Sequence, residues 1–279
     1  VSPFIKIGAM EDDKFADQVE NLIIFETKAK EEANFKDCND VISKEDKFFT
    51  TIQSYIDRIS TNNKKRIIYC TDELTQSGAL NLWVSQGAEV IKADSIIDSQ
   101  FIPWLEQRNK EWSFQRVDSE LNEELKEKAA EITDKEGDTE SELIRKLMIE
   151  SLENKNITVQ VQLLKGNNSP PSLILLPEQM RRINDIGALM EQKLPGLPDH
   201  HVLVINQRHP LVEALVKLKT GSVLVPNSSV SPTENLARSL ANYLYDIARL
   251  GVGGIDPNEI PKFQARSADL MSTLLNKAL

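Results

Sequence analysis

Three histidines, two cysteines and the triplet Thr71-Asp72-Glu73 are the residues with which this chain could do chemistry. His209 lies in INQRHPLVEAL (205–215), between an apolar run and a helical pattern, where a general base could sit. No carboxylate or nucleophile motif flanks it, and Pro210 suits the first position of a helix. The positive end of that helix disfavours an imidazolium, so His209 is expected to be part of a structural joint. His200 and His201 are adjacent, and successive strand residues face opposite ways, which prevents them from clamping one metal ion. Cys38 and Cys70 lack the close spacing of a metal clip, and no GxSxG elbow is present. Thr71, Asp72 and Glu73 follow the run RIIYC, where an open parallel sheet would bind a ligand. That supports a rival reading, a stand-alone α/β enzyme or nucleotide-binding module with these residues as acid or base. No GxxxxGK[ST] loop and no strand followed by GxGxxG accompanies them, and GVGG (251–254) follows a helix rather than opening one. The triplet is therefore expected to begin a solvated loop.

The elements that would position these residues can be read along the chain. DDKFADQVENLIIFET (12–27) has a helical period through Phe15, Val19, Leu22 and Ile23, and the charged stretch 28–47 reads as a loop. TTIQSYIDRI (50–59) is a second helix. RIIYCT (66–71) and AEVIKA (88–93) read as strands covered on both faces, with the helix GALNLWVSQ between them and Gly87 as its left-handed cap. IDSQFIPWLE (97–106) is a third helix, capped by Asp98. Strand, helix, strand, helix at this spacing predicts a short parallel sheet with helices around it. A charged helical stretch from Asp118 to about Lys135 and a linker, DKEGDTES (134–141), lead to the helix SELIRKLMIESL. ITVQVQLL (157–164) alternates as a half-exposed antiparallel strand, SLILL and HVLVIN are two more strands, and two helices close the chain. The second half is therefore α+β, ending in a helical bundle. The expected domains are 1–133 and 134–279.

Composition narrows the function classes. With 40% apolar and 27% charged residues, 279 residues can bury the cores of two soluble domains. Asp plus Glu is 43 against 33 for Lys plus Arg, and the net charge of −10 disfavours nucleic acid or anionic membrane as a partner. No apolar run spans a bilayer and the cysteine usage suits a reducing compartment, so a cytoplasmic setting is expected. The chain opens at VSPFIKIG without methionine and is expected to be a piece of something longer.

INQRHPLVEAL resembles a strand–turn–helix signature of the heat-shock protein 90 chaperones. FIKIGAMEDDKFADQVENLIIFET resembles that family's middle domain, and RIIYCTDELTQSGALNLWVSQGAEVIKADSIIDSQFIPWLE its small α/β subdomain. MRRINDIGALM (180–190) is similar to the amphipathic helix of its C-terminal domain, and SPTENLARSLANYLYDIARLG to its dimer helix. The likeness runs in order over essentially the whole chain and is closest to the bacterial form. It implies the end of the middle domain followed by the dimerisation domain, with ATP and Mg bound by an N-terminal domain outside these residues. No catalytic, metal-binding or cofactor-binding residue is then expected in this chain, and no ATPase activity.

The same resemblance implies three kinds of partner: a second copy of the chain, non-native client proteins and other chaperones. Clients are expected on Met180, Ile183, Ile186, Gly187 and Met190, whose spacing is heptad-like, and on Phe101, Ile102 or Trp104. The homodimer is expected on the last two helices. Ser231, Pro232 and Glu234 form a capping box there, followed by Leu236, Leu240, Tyr243, Leu244, Ile247 and Leu250, with Gly251 ending the run. A second stripe, on a helix opened by Pro261, holds Phe263, Leu270, Met271, Leu274 and Leu275. Two such stripes paired with their copies would make a four-helix bundle.

Overall fold

The computed structural model describes residues 2–29, 42–44, 47–59, 65–121, 125–126, 139–152, 156–166, 169–176, 200–222, 232–252 and 254–278. These fall into two compact units, one ending at Ser119 and the other beginning at Glu120. The boundary expected at 133/134 and Met180–Met190 lie outside the described residues.

The first unit is a six-stranded mixed sheet with helices. Helix α1 (Ser2–Glu11) and helix α2 (Asp13–Val19) come first. Asp12 caps α2, its Oδ1 accepting the N–H groups of Lys14 (2.8 Å) and Phe15 (3.3 Å). The helix expected across 12–27 ends at Val19. After a 3-10 turn the chain enters strand β1 (Ile24–Lys28), because Ile23 and Phe25 are buried on a sheet while Phe15 and Leu22 face solvent. The apparent helical period had joined two elements. Strand β2 (Ile42–Lys44) lies in the stretch expected to be loop, and strand β3 (Lys47–Thr51) begins at its last residue and takes Thr50 and Thr51 from the expected helix. Helix α3 (Ile52–Ile59) buries Ile52, Tyr55 and Ile56, as its spacing predicts.

Strand β4 (Arg66–Cys70), helix α4 (Ser77–Ser85), strand β5 (Val90–Lys92), helix α5 (Asp98–Arg108) and strand β6 (Ser113–Arg116) complete the unit. Gly87, at φ 86°, ends α4, and the Ala88 N–H reaches back to the Trp83 carbonyl (3.1 Å). The sheet order is β2-β3-β1-β5-β4-β6, with β5, β4 and β6 parallel and the β1, β2 and β3 pairings antiparallel. The expected parallel sheet is thus half of a larger mixed one. Its core holds Phe25, Tyr55, Ile67, Ile91, Phe101 and Leu105. Asp98 does not cap α5 as expected. Its carboxylate is buried and accepts the Lys6 ammonium at 2.5 Å and the Ser95 N–H at 3.2 Å, tying α1 to α5.

The second unit is a three-stranded sheet covered by helices. Thr139 caps helix α6 (Glu140–Ser151), accepting the Glu142 N–H at 3.2 Å. Strands β7 (Thr158–Gln162), β8 (Ser172–Leu175) and β9 (Val202–Asn206) lie in the order β7-β9-β8. β7 pairs with β9 in parallel, against the antiparallel expectation. Its alternation reports one open face at a sheet edge, and in so small a sheet that face does not set direction. Helices α7 (Pro210–Ser222), α8 (Pro232–Gly251) and α9 (Ile260–Ala278) follow. Leu203, Val204 and Ile205 of β9 are fully buried, and Leu203 and Ile205 pack in one cluster with Ile144, Met148, Leu215 and Leu244.

Candidate functional site

The carboxyl edge of the parallel strands is where this fold would hold a small ligand. The order β5-β4-β6 puts the switch point between β4 and β6, beside Thr71, Asp72 and Glu73. That crevice is filled by the protein itself. Arg116, at the end of β6, grips Asp118 through Nε (2.5 Å) and Nη2 (2.8 Å), and both residues are buried. Gln76, also buried, donates to Asp118 (3.3 Å) and to the Thr71 hydroxyl (3.1 Å), and accepts the Thr71 N–H (2.8 Å). Asp72 uses its Oδ1 to hold the turn, accepting the N–H groups of Leu74 (2.9 Å) and Thr75 (3.3 Å). Burial pushes the Glu73 carboxyl up, but the ammonium groups of Lys28 and Lys92 outweigh it and hold it below its ordinary value. Glu73 is an ion-pair partner at neutral pH and a poor proton donor. The enzyme reading is not favoured by this geometry.

The other reactive residue types are accounted for in the same way. Cys70 is buried, and burial with the neighbouring Glu73 charge pushes its thiol up to about 12, which removes the thiolate. His201 is buried, stacked on Tyr245 with ring centroids 5.8 Å apart, and its Nε2 lies 3.1 Å from the Tyr245 hydroxyl. Among the described residues no group of three or more His, Cys, Asp and Glu could hold a metal ion. His209 sits at the start of α7, where its Nδ1 accepts the Leu211 N–H at 3.2 Å. Burial lowers its pKa, which keeps that nitrogen's lone pair available for capping. Next to it Asn206 accepts from the N–H groups of Leu164 and Arg208, each at 3.3 Å, and donates to the Pro170 carbonyl at 3.2 Å. His209 acts there as a joint.

The residues expected to meet other proteins divide sharply. Phe101 and Ile102, expected as client contacts, are 0% and 5% exposed, because α5 turns them onto the sheet and into the core of the first unit. Trp104 is half-buried, stacked on Phe101 at 5.2 Å and covered by the Arg108 guanidinium at 5.5 Å. Leu74 and Ile96, which no pattern singled out, are 85% and 76% exposed in the loops after β4 and β5. Of the residues expected at the dimer contact, Leu236, Leu240, Leu244 and Leu270 are buried in their own unit, while Tyr243, Ile247 and Phe263 are half-buried. Leu250, Met271, Leu274 and Leu275 are 49%, 50%, 44% and 62% exposed. Sequence reasoning also missed Asp246, a buried carboxylate on α8 whose partner Arg266 lies on α9.

The family model described as Hsp90 protein matches residues 1–278. The chain belongs to the Hsp90 family. Among its relatives are proteins named chaperone protein HtpG. That of Porphyromonas gingivalis is 28% identical over 233 residues, covering 79% of this chain and 31% of the relative. That of Bacteroides fragilis is 23% identical over 220 residues (76% and 30%), and that of Bacteroides thetaiotaomicron 24% over 220 residues (76% and 30%). This Hsp90 chain therefore spans under a third of the length of these relatives. Among its described residues no helix is long and apolar enough to cross a membrane. The described part of the Hsp90 chain thus offers a stitched crevice in its first unit and open apolar side chains on its last two helices.

Proposed function

We propose that this chain is the client-holding and self-pairing part of an ATP-driven cytoplasmic chaperone. Residues 1–133 would be the end of its middle domain and residues 134–279 its dimerisation domain. The observation that carries the reading is the set Met271, Leu274 and Leu275 on one side of α9, with Leu250 at the end of α8, open to solvent in a chain that matches the Hsp90 family along its length. Apolar side chains in a row on a terminal helix pair are best covered by a second copy, since two-fold pairing is the commonest oligomer geometry. Tyr243, Ile247 and Phe263 would lie at the margin of that contact. A stable pair of this kind buries about 1,600 Å² in all. Sedimentation at micromolar concentration should give twice the chain mass, and removing α9 should give a monomer. A truncated chain that stays dimeric overturns the assignment.

Clients would be held by Met180, Ile183, Ile186, Gly187 and Met190, with Trp104 as a second contact. Support comes from the resemblance of 180–190 to the family's amphipathic helix and from the adaptable thioethers of methionine. Replacing Met180 and Ile183 by serine should weaken capture of an unfolded protein while melting stays nearly unchanged. ATP and Mg would bind elsewhere in the full-length protein, so the chain alone should release no phosphate above a buffer blank. Other chaperones would be further partners of the dimer.

A further inference from the structure

Helix α9 is 19 residues long, yet among its described side chains only Leu270 reaches the core, at 3% exposure. Phe263, Ser267 and Thr273 are half-buried, and most of the others face solvent. A helix of this length has little apolar attachment to its own unit. Its other attachment is ionic. Asp246 of α8, 2% exposed, accepts Arg266 of α9 in a forked arrangement: Nε to Oδ2 at 3.0 Å, Nη2 to Oδ1 at 2.9 Å and Nη2 to Oδ2 at 2.7 Å. One turn along α8, Arg249 lies 3.8 Å from Asp246 and hydrogen-bonds Glu259, just before α9 begins. The Arg249 guanidinium also covers the Tyr245 ring at 5.5 Å. Two arginines and two carboxylates thus bridge the turn between the helices.

The geometry of this bridge limits how α9 can sit. A buried carboxylate is costly unless it is paired, and a forked guanidinium pairs well in only one orientation. Met271 lies five residues after Arg266, about 140° around the helix axis. Holding Arg266 on Asp246 therefore fixes which way Met271, Leu274 and Leu275 point.

We propose that Asp246 and Arg266 are positioning residues for self-pairing: their ion pair sets the rotation and tilt at which α9 presents its open apolar row. The inference rests on the self-pairing reading above, and its test separates the two. Hydrogen exchange at the α9 amides, compared with β9, reports the clamp whether or not the chain pairs. Sedimentation reports the dimer constant. Asp246→Asn should speed exchange in α9 more than in β9 and weaken the dimer by about tenfold or more. Arg266→Lys keeps the charge but loses the fork, and should weaken the dimer while the melting temperature is kept. The double variant Asp246→Asn/Arg266→Gln should weaken it by less than the product of the effects of Asp246→Asn and Arg266→Gln made singly, as for a coupled pair. If Asp246→Asn does not fold, the Arg266→Lys result decides. A variant that melts lower but pairs with an unchanged constant overturns the positioning role, as does unchanged α9 exchange. A monomeric parent chain overturns the self-pairing reading, and with it the link from the clamp to pairing.

Discussion

Helices α5 and α9 carry apolar residues at similar helical spacing, and each has a proline among its first six residues. α5 lies against a six-stranded sheet, which takes up Phe101, Ile102 and Leu105 and leaves Ser99 and Gln100 outside. α9 has α8 and the turn before it as its main neighbours, and after Leu270 is buried Met271, Leu274 and Leu275 stay exposed among the described residues. The sequence of a stripe shows that something must cover it. What covers it depends on the area that neighbouring elements offer, which is a property of topology.

The comparison can be broken at its core end first. Phe101→Ala should cost about 3–5 kcal/mol in the first unit, measured by urea unfolding, as for other buried aromatics. An effect near zero would mean that α5 does not pack on the sheet. The Lys6–Asp98 pair that docks α1 on α5 comes next. Asp98→Ala strands a buried ammonium beside Phe25 (4.3 Å) and should cost about 3 kcal/mol. Lys6→Met/Asp98→Leu should recover most of that loss, and failure to recover would show that the charges have a further role.

At the open end, Met271→Ser with Leu275→Ser should change unfolding by no more than about 0.5 kcal/mol, the usual range for surface sites. The same change should weaken pairing by at least about tenfold, roughly 1.4 kcal/mol, in sedimentation. The smallest effect belongs to His209. Its folded pKa lies below the ordinary 6.5, so the unfolded chain binds more protons just below that pH. Its contribution to stability is then complete above 6.5 and falls as pH drops through the folded value. Hydrogen exchange at the start of α7 between about pH 5 and pH 7 should show this slope, and His209→Gln should flatten it.

Elements whose signals are local were legible. Pro210 opens α7, Gly87 ends α4, and the runs RIIYC and HVLVIN are buried strands, because each depends on neighbours within a few residues. Elements whose partners are distant were not. SFQR does not look like a strand, since the buried Arg116 is paired with Asp118, which in turn accepts from Gln76, 42 residues back. Asp98 has the residue type and place of a helix cap, and its use is decided by Lys6, 92 residues away. The open row on α9 was recognised together with residues that belong to the core. Leu236, Leu240 and Leu244 share its pattern and differ in lying on a helix packed against β8, α6 and α7.

The six-stranded sheet ends in β2 on one side and β6 on the other, three and four residues long. An edge of that length exposes few unpaired N–H and C=O groups, too few to template an added strand. For a molecule proposed to keep company with unfolded polypeptide, this is a safeguard against aggregation. Chains held near this sheet can touch its side chains without being recruited into its backbone ladder and growing into a shared fibre.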